Sequence, residues 1–99
     1  MRAEVIAIGD EILVGRTLDT NSHVLAGRLH GLGVPLQAVQ VVEDDPNTIR
    51  EALALALRRA RVVILTGGLG PTRDDCTKDV LAQALGDGDC YEDAEVLAK

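Results

Sequence analysis

The chain has 99 residues, of which 46% are hydrophobic and 26% charged, with one tyrosine and neither tryptophan nor phenylalanine. This length allows one small domain with an aliphatic core, and the composition argues against a disordered chain. The formal charge of −6 argues against nucleic acid and anionic membranes as partners, because binding to phosphate groups uses clustered Lys and Arg.

The sequence predicts a cytoplasmic protein. No apolar run is long enough to span a bilayer, and the first residues lack the features of a signal peptide. Cys76 and Cys90 do not form a CxxC pair. We therefore expect two free thiols in a reducing compartment rather than a disulfide.

A buried strand is predicted near the amino terminus, over the apolar run of residues 3–8 (AEVIAI), which ends at Gly9. The polar loop that follows, residues 9–19, exceeds the roughly two to six residues of a typical connection between a strand and a helix. Because long loops inside compact domains often carry function, this loop is a candidate part of a site.

A helix is predicted over residues 20–33 and a second strand over residues 36–42 (LQAVQVV). The helical face is marked by Leu25, Leu29 and Leu32. Asn21 or Ser22 can cap the start of this helix, and Gly33 can close its end.

The clearest helical pattern covers residues 44–60 (DDPNTIREALALALRRA). Asp44 or Asp45 can cap it, and Pro46 stands in the first turn, where its missing N–H costs nothing. The predicted buried face consists of Ile49, Leu53, Ala56, Leu57 and Ala60.

The third strand is predicted at residues 62–66 (VVILT), whose lack of alternation is typical of a sheet covered by helices on both faces. A third helix should follow, ending at Gly86, with an apolar face of Val80, Leu81, Ala84 and Leu85. The last ten residues (CYEDAEVLAK) are interpreted as the start of a further helix.

This alternation of strands and helices predicts an α/β fold with parallel strands joined by right-handed crossovers. Three strands make a small sheet, and the final helical pattern ends without a cap. We therefore expect residues 1–99 to be the amino-terminal part of a larger domain whose closing strands and helices are absent.

Acidic residues follow all three predicted strands. The loops are residues 9–21 (GDEILVGRTLDTN), 43–47 (EDDPN) and 66–75 (TGGLGPTRDD). Ligands of parallel α/β sheets bind beyond the carboxyl ends of the strands, so these loops predict one common site.

The glycine-rich loop matches neither of the two best-known nucleotide motifs. It lacks the third glycine of GxGxxG, and no GK[ST] follows. Gly67, Gly68 and Gly70 nevertheless allow close backbone approach and positive φ, and exposed N–H groups there favour an anion.

The carboxylates predicted around this common site would repel a phosphate; they are Asp10, Glu11, Asp44, Asp45, Asp74 and Asp75. Two unit charges about 4 Å apart interact by about 4 kcal/mol at an effective dielectric constant of about 20. A divalent cation, with Mg²⁺ the best suited, removes this conflict by binding carboxylate and phosphate oxygens together. The hypothesis is a metal-assisted site for a phosphorylated ligand.

Structural alternatives stay open at this stage. Asp44 or Asp45 can simply cap the second helix, as Asp75 or Thr77 can cap the third. Thr17, Asp19 or Asn21 can cap the first helix without touching a ligand. Residues 67–71 can be only a turn.

Three stretches resemble the amino-terminal domain of the competence/damage-inducible protein A (CinA) family, which belongs to the molybdopterin-binding superfamily with the MoaB and MogA proteins. They are IAIGDEILVGRTLDTNSHVLAGRLHGLGV, VVEDDPNTIREAL and TGGLGPTRDDCTKDVLAQALG. The resemblance implies a three-layer α/β/α domain with a mostly parallel sheet. It also implies a homo-oligomer, a dimer or a trimer.

The same resemblance implies a metal-dependent pyrophosphatase that hydrolyses ADP-ribose to AMP and ribose 5-phosphate. The implied catalytic residues are Asp75, Asp44 and Asp10, with Asp10 and Asp75 as metal ligands. The implied substrate-binding residues are Gly9, Glu11, Asn21, Thr66, Gly67, Gly68, Gly70 and Thr72. Leu69 departs from the threonine of the TGGTG motif in pterin-handling relatives, which favours the pyrophosphatase.

Two alternatives remain. The domain can be a molybdopterin-binding or adenylyl-transfer domain, which uses the same loops for a pterin phosphate. It can also be a non-catalytic binding or assembly module. Release of AMP from ADP-ribose distinguishes the pyrophosphatase from both.

Overall fold

The computed structural model describes residues 2–67 together with the strand backbones of residues 89–91 and 94–98. Its elements, in chain order, are β1 (Ala3–Ile8), α1 (Asp10–Leu13), α2 (Thr20–Gly31), β2 (Leu36–Val42), α3 (Pro46–Arg59), β3 (Val62–Thr66), β4 (Asp89–Tyr91) and β5 (Ala94–Ala98). The predicted bounds of the first three strands are confirmed. The third predicted helix lies outside the described residues.

The strands form one sheet in the order β2-β1-β3-β5-β4. β1 pairs in parallel with both β2 and β3, whereas β5 pairs antiparallel with β3 and with β4. The chain moves outward from β1 to β2 and then crosses back over β1 to β3. Crossovers between parallel strands are almost always right-handed, so these opposite directions predict α2 and α3 on opposite faces of the sheet, as the three-layer arrangement requires. The α/β class, with β2, β1 and β3 parallel, is confirmed.

The main core lies between α3 and the sheet. Every residue of β1 is buried, as expected for a central parallel strand. The buried residues packed together are Ile6, Ile8, Val42, Ile49, Ala52, Leu53, Ala56, Ala60, Val63 and Leu65, with Leu57 partly buried against them. The face predicted for α3 is therefore confirmed.

Helix α2 follows its predicted apolar face only in part, since Leu25 and Leu29 are half-buried. Ser22 is its one buried residue, and Leu32, placed on the predicted apolar face, is 76% exposed. The helix ends before Leu32 because Gly33 turns the chain with φ +78°. The Val34 N–H then donates to the Leu29 carbonyl at 2.9 Å, the long bond of a Schellman motif. Gly33 closes the helix as predicted.

The structure shows which of the candidate residues cap helices α2 and α3. Asp19, and neither Asn21 nor Ser22, caps α2, because its Oδ1 lies 3.2 Å from the Ser22 N–H in the first turn. Asp45 caps α3 by accepting from the Thr48 N–H at 3.0 Å. Asp44 therefore lies outside the helix cap.

The helix predicted at the end of the chain is wrong. The backbone there forms β4 and β5, and β5 pairs with β3 from Ala94 opposite Thr66 to Ala98 opposite Val62. A helix of about ten residues is marginal by itself, so backbone hydrogen bonding along the edge of β3 overrides the local preference of Glu, Ala and Leu. Among the described helices, none has the length and apolarity needed to cross a bilayer.

Candidate functional site

The carboxyl ends of β1, β2 and β3 meet at one edge of the sheet, which we call the carboxyl edge. Ile8 pairs with Val42, and Ala7 pairs with Thr66. The Gly9 N–H continues the ladder by donating to the Val42 carbonyl at 3.0 Å. The loops that follow these strands therefore begin side by side, as the sequence predicts.

At the carboxyl edge, two glycines lie where neighbouring groups approach the backbone closely. Gly67 has φ +75°, and a Cβ placed on it would lie 2.3 Å from the Ile8 carbonyl oxygen. A Cβ on Gly9 would lie 2.9 Å from Oε1 of Glu11, whose carboxylate folds back over this residue. The close approach predicted from the glycine-rich loop is thus present at Gly67, and only glycine fits there.

A hydrogen bond links two of the acidic loops. The Asp44 N–H donates to Oδ1 of Asp10 at 3.1 Å, so the residue after β1 contacts the turn after β2. Asp10 reaches this position because it opens α1, a four-residue helix inside the loop predicted from the sequence. Gly15, at φ +80° just beyond α1, is the sequence signal for the end of that helix.

Neighbouring acidic residues have a structural role. Oδ2 of Asp45 accepts from both the N–H and the hydroxyl of Thr48, and Oε1 of Glu43 accepts from the same hydroxyl at 3.0 Å. These bonds fix the turn from β2 into α3. The half-buried Asp44 stands at the centre of that turn.

The remaining predicted site residues are placed as follows. Glu11 and Asn21 are exposed, whereas Thr66 is buried as the last residue of β3. Gly68, Gly70, Thr72 and Asp75 lie outside the described residues. The ligand-binding and catalytic roles of the whole set stay predictions.

The carboxylate oxygens at the carboxyl edge are suitable ligands for Mg²⁺, but those in the described residues do not form a complete metal site. Within residues 2–67, no group of three or more His, Cys, Asp or Glu side chains is arranged to hold a metal. Oδ2 of Asp10 has no hydrogen-bond partner among the described residues. Mg²⁺ usually binds through one or two carboxylates and completes its shell with water and phosphate. The assignment of Asp10 and Asp75 as its ligands stays a prediction.

The opposite end of β1 carries a buried carboxylate that the sequence interpretation missed. Glu4 is 1% exposed, and its oxygens accept from Arg59 Nη2 and Gln37 Nε2, each at 2.7 Å. The three side chains line an open cleft of about 490 Å³ together with Arg2 and Ala38. A lone glutamate inside the run AEVIAI was the available signal.

Comparison with known proteins places the chain in a family. Residues 4–99 match the family model described as a probable molybdopterin binding domain. A CinA-like protein of Chlorobium chlorochromatii is 46% identical over 94 residues, which cover 95% of this chain and 22% of the relative. The chain therefore spans about a fifth of the length of that curated relative.

Solved structures agree with this placement. The CinA protein of Thermoplasma acidophilum superposes with a TM-score of 0.79 and 40% identity, covering 93% of this chain and 55% of that one. MoaB of Pyrococcus furiosus, a tungsten cofactor synthesizing protein, gives 0.76 and 27%, covering 88% and 54%. The parallel β2-β1-β3 core, the acidic carboxyl edge and these matches lead to one conclusion: the chain belongs to the molybdopterin-binding domain family, and within it resembles the amino-terminal domain of CinA-like proteins.

Proposed function

We propose that this domain binds a phosphorylated small molecule, in the first place a pterin phosphate of the molybdopterin class, at the carboxyl edge. The observation that carries the proposal is the hydrogen bond from the Asp44 N–H to Asp10, which gathers acidic groups beside Gly67. Family membership supports the pterin, since the matching model describes molybdopterin binding.

The chemistry of the edge suits such a ligand. Parallel α/β sheets bind ligands beyond the carboxyl ends of their strands. Gly67 keeps the backbone free of side-chain bulk where the glycine-rich loop begins. Mg²⁺, when bound, would neutralise charge between the phosphate and Asp10. The exposed carboxylate of Asp10 also offers acceptors for the amino and ring N–H donors of a pterin.

A second candidate is metal-dependent hydrolysis of an ADP-ribose-like diphosphate. It is favoured by the identity of 46% and 40% to two CinA-type proteins, against 27% to MoaB. In this reaction a carboxylate such as Asp75 orients a water molecule for in-line attack on one phosphorus. The phosphoanhydride P–O bond breaks, AMP and ribose 5-phosphate form, and the proton of the water passes to the carboxylate or solvent.

One experiment separates the two candidates. The protein is titrated calorimetrically with a pterin phosphate and with ADP-ribose, each with Mg²⁺ and with EDTA, and the ADP-ribose mixtures are analysed for AMP. We expect binding of a phosphorylated ligand, and AMP appears only if the second candidate is right. Absence of binding to both ligands at millimolar concentration would contradict the proposal.

Asp75→Asn tests the hydrolytic candidate further. This variant should lose metal-dependent turnover while its thermal unfolding remains unchanged, because the change removes one charged oxygen from a predicted loop residue. Unchanged turnover would remove Asp75 from the mechanism. The predicted dimer or trimer and the predicted cytoplasmic location remain predictions for the whole protein.

A further inference from the structure

The two carboxylate oxygens of Asp10 differ in their surroundings. Oδ1 accepts from the Asp44 N–H at 3.1 Å, whereas Oδ2 has no hydrogen-bond partner in the part of the chain that the structure describes. We propose that Asp10 is a positioning residue, whose Oδ1 holds the Asp44 turn in the arrangement that receives the phosphorylated ligand. The inference rests on the proposed function of the carboxyl edge.

The Asp44 end of this bond belongs to a well-defined turn. The Asp45 N–H donates to the Glu43 carbonyl at 2.9 Å, and Thr48 ties the side chains of both residues to the first turn of α3. These contacts fix the turn to β2 and α3. The N–H of Asp44, at the centre of the turn, instead donates to Asp10 of α1, which is a different element.

The Asp10 end is fixed to β1. Its preceding residue, Gly9, donates its N–H to the Val42 carbonyl at 3.0 Å. Its own carbonyl accepts from the Val14 N–H at 3.1 Å within the α1 turn. Both ends of the Asp10–Asp44 bond are therefore anchored, and the bond joins residues 34 positions apart in the chain. Loss of the bond would release the Asp44 turn from α1.

This positioning requires an acceptor oxygen and does not require a negative charge. An asparagine at position 10 keeps Oδ1 and replaces Oδ2 by an amide nitrogen, which cannot bind a cation. An alanine removes both oxygens. The two substitutions therefore separate the hydrogen bond to Asp44 from any contact that Oδ2 makes with a metal.

The first test measures amide hydrogen exchange at Asp44 by NMR in the wild type, Asp10→Asn and Asp10→Ala. We expect Asp10→Ala to accelerate this exchange about tenfold, the factor at the lower end of the range for a hydrogen bond to a charged group. Asp10→Asn should stay within about threefold of the wild type, since an amide oxygen is a weaker acceptor than a carboxylate.

Asp19→Ala is the matched control. Asp19 also accepts from a backbone N–H, that of Ser22 at 3.2 Å, but among the described residues it makes no hydrogen bond to the Asp44 turn. Its removal should leave exchange at Asp44 unchanged. Wild-type exchange in Asp10→Ala, or equal acceleration in Asp19→Ala, would overturn the positioning role.

The second test measures binding of ADP-ribose and of a pterin phosphate with EDTA and with Mg²⁺. Asp10→Ala should weaken binding about tenfold in EDTA, the factor set by the lost hydrogen bond. Asp10→Asn should retain its EDTA affinity within about threefold and lose the increment that Mg²⁺ gives the wild type. Equal losses in EDTA for both variants would show that Asp10 acts through its charge and would overturn the inference.

The two tests keep the inference separate from the proposed function. If the wild type binds neither probe, the proposed function fails. The Asp44 exchange rates still decide whether Asp10 positions the turn, because they need no ligand.

Discussion

An acidic residue lies near each end of β1, and the two residues differ in their burial and in their hydrogen bonds. Glu4, near the amino end, is 1% exposed, and both of its oxygens accept from side chains. Asp10, just beyond the carboxyl end, is exposed, and one oxygen accepts from a backbone N–H. A buried carboxylate with both oxygens engaged serves the fold, whereas an exposed one with an oxygen to spare can serve a ligand.

The elements around these residues show the same contrast. At the amino end, Gln37 of β2 and Arg59 of α3 converge on Glu4, and Gln37 also donates to the Arg59 carbonyl at 3.1 Å. At the carboxyl end, the Gly9 N–H bonds to β2, Gly67 approaches the Ile8 carbonyl closely, and Asp10 is exposed. Changes at the amino end should therefore affect stability, and changes to carboxylates at the carboxyl end should affect binding.

The largest effect is expected for Gly67→Ala. The new Cβ would lie 2.3 Å from the Ile8 carbonyl oxygen, and alanine is strained at φ +75°. We expect a loss of about 3 kcal/mol in the free energy of unfolding, measured by urea denaturation with circular dichroism, together with weaker ligand binding.

Gly15→Ala is the control for that change. Gly15 has a similar φ of +80°, but nothing lies within 4 Å of its Cβ position. It should lose about 1 kcal/mol, the cost of the left-handed backbone alone. Equal losses for the two variants would mean that the contact with Ile8 does not constrain the carboxyl edge.

Arg59→Ala should come next. Among the described residues, the substitution leaves the buried Glu4 carboxylate with Gln37 as its side-chain donor. We expect a loss of about 2 kcal/mol, less than for a fully buried ion pair because the Arg59 side chain is 43% exposed. Ligand binding at the other end of the sheet should be unchanged. The neighbouring exposed Arg58, changed to alanine, should alter stability by less than about 0.5 kcal/mol.

A smaller effect is expected at the two adjacent aspartates. Asp45→Ala removes the cap of α3 and should lower stability by about 1 kcal/mol. Asp44→Asn should cost less stability but weaken ligand binding more than Asp45→Ala does. If calorimetric titration shows the reverse order, Asp44 is not the residue of this pair that faces the ligand.

The smallest effect is expected for Ser22→Ala. This residue is 7% exposed, and its hydroxyl has no hydrogen-bond partner among the described residues, in contrast to the satisfied carboxylate of Glu4. Removing a buried, unpaired hydroxyl should leave stability unchanged or raise it by up to about 1 kcal/mol. A clear destabilisation in urea would indicate a bond to this hydroxyl.

The sequence predicted what local patterns determine and missed what distant contacts determine. The runs AEVIAI, LQAVQVV and VVILT gave the strands their correct bounds, because buried parallel strands are short and continuously apolar. The meeting of their carboxyl ends followed from parallel pairing. The interpretation of residues 90–99 as the start of a helix failed because pairing with β3 is a long-range contact.

The same distinction holds at the candidate site. The close approach at Gly67 was predictable, since a glycine-rich turn directly follows a strand. The bond between Asp10 and Asp44 was not, because it depends on α1, whose four residues give too short a pattern to identify. The sequence also left Asp44 and Asp45 as equal candidates for the cap of α3, because both are aspartates next to the start of the helix. The hydrogen bond from the Thr48 N–H to Asp45 identifies Asp45 as the cap.

The most direct measurement is an NMR titration of the protein with a pterin phosphate and with ADP-ribose, with Mg²⁺ present, following the backbone amides. Binding at the carboxyl edge predicts shifts at Gly9, Asp10, Asp44 and Gly67, with Glu4, Gln37 and Arg59 unmoved. Shifts confined to Glu4, Gln37 and Arg59, or none at all with either ligand, would contradict it.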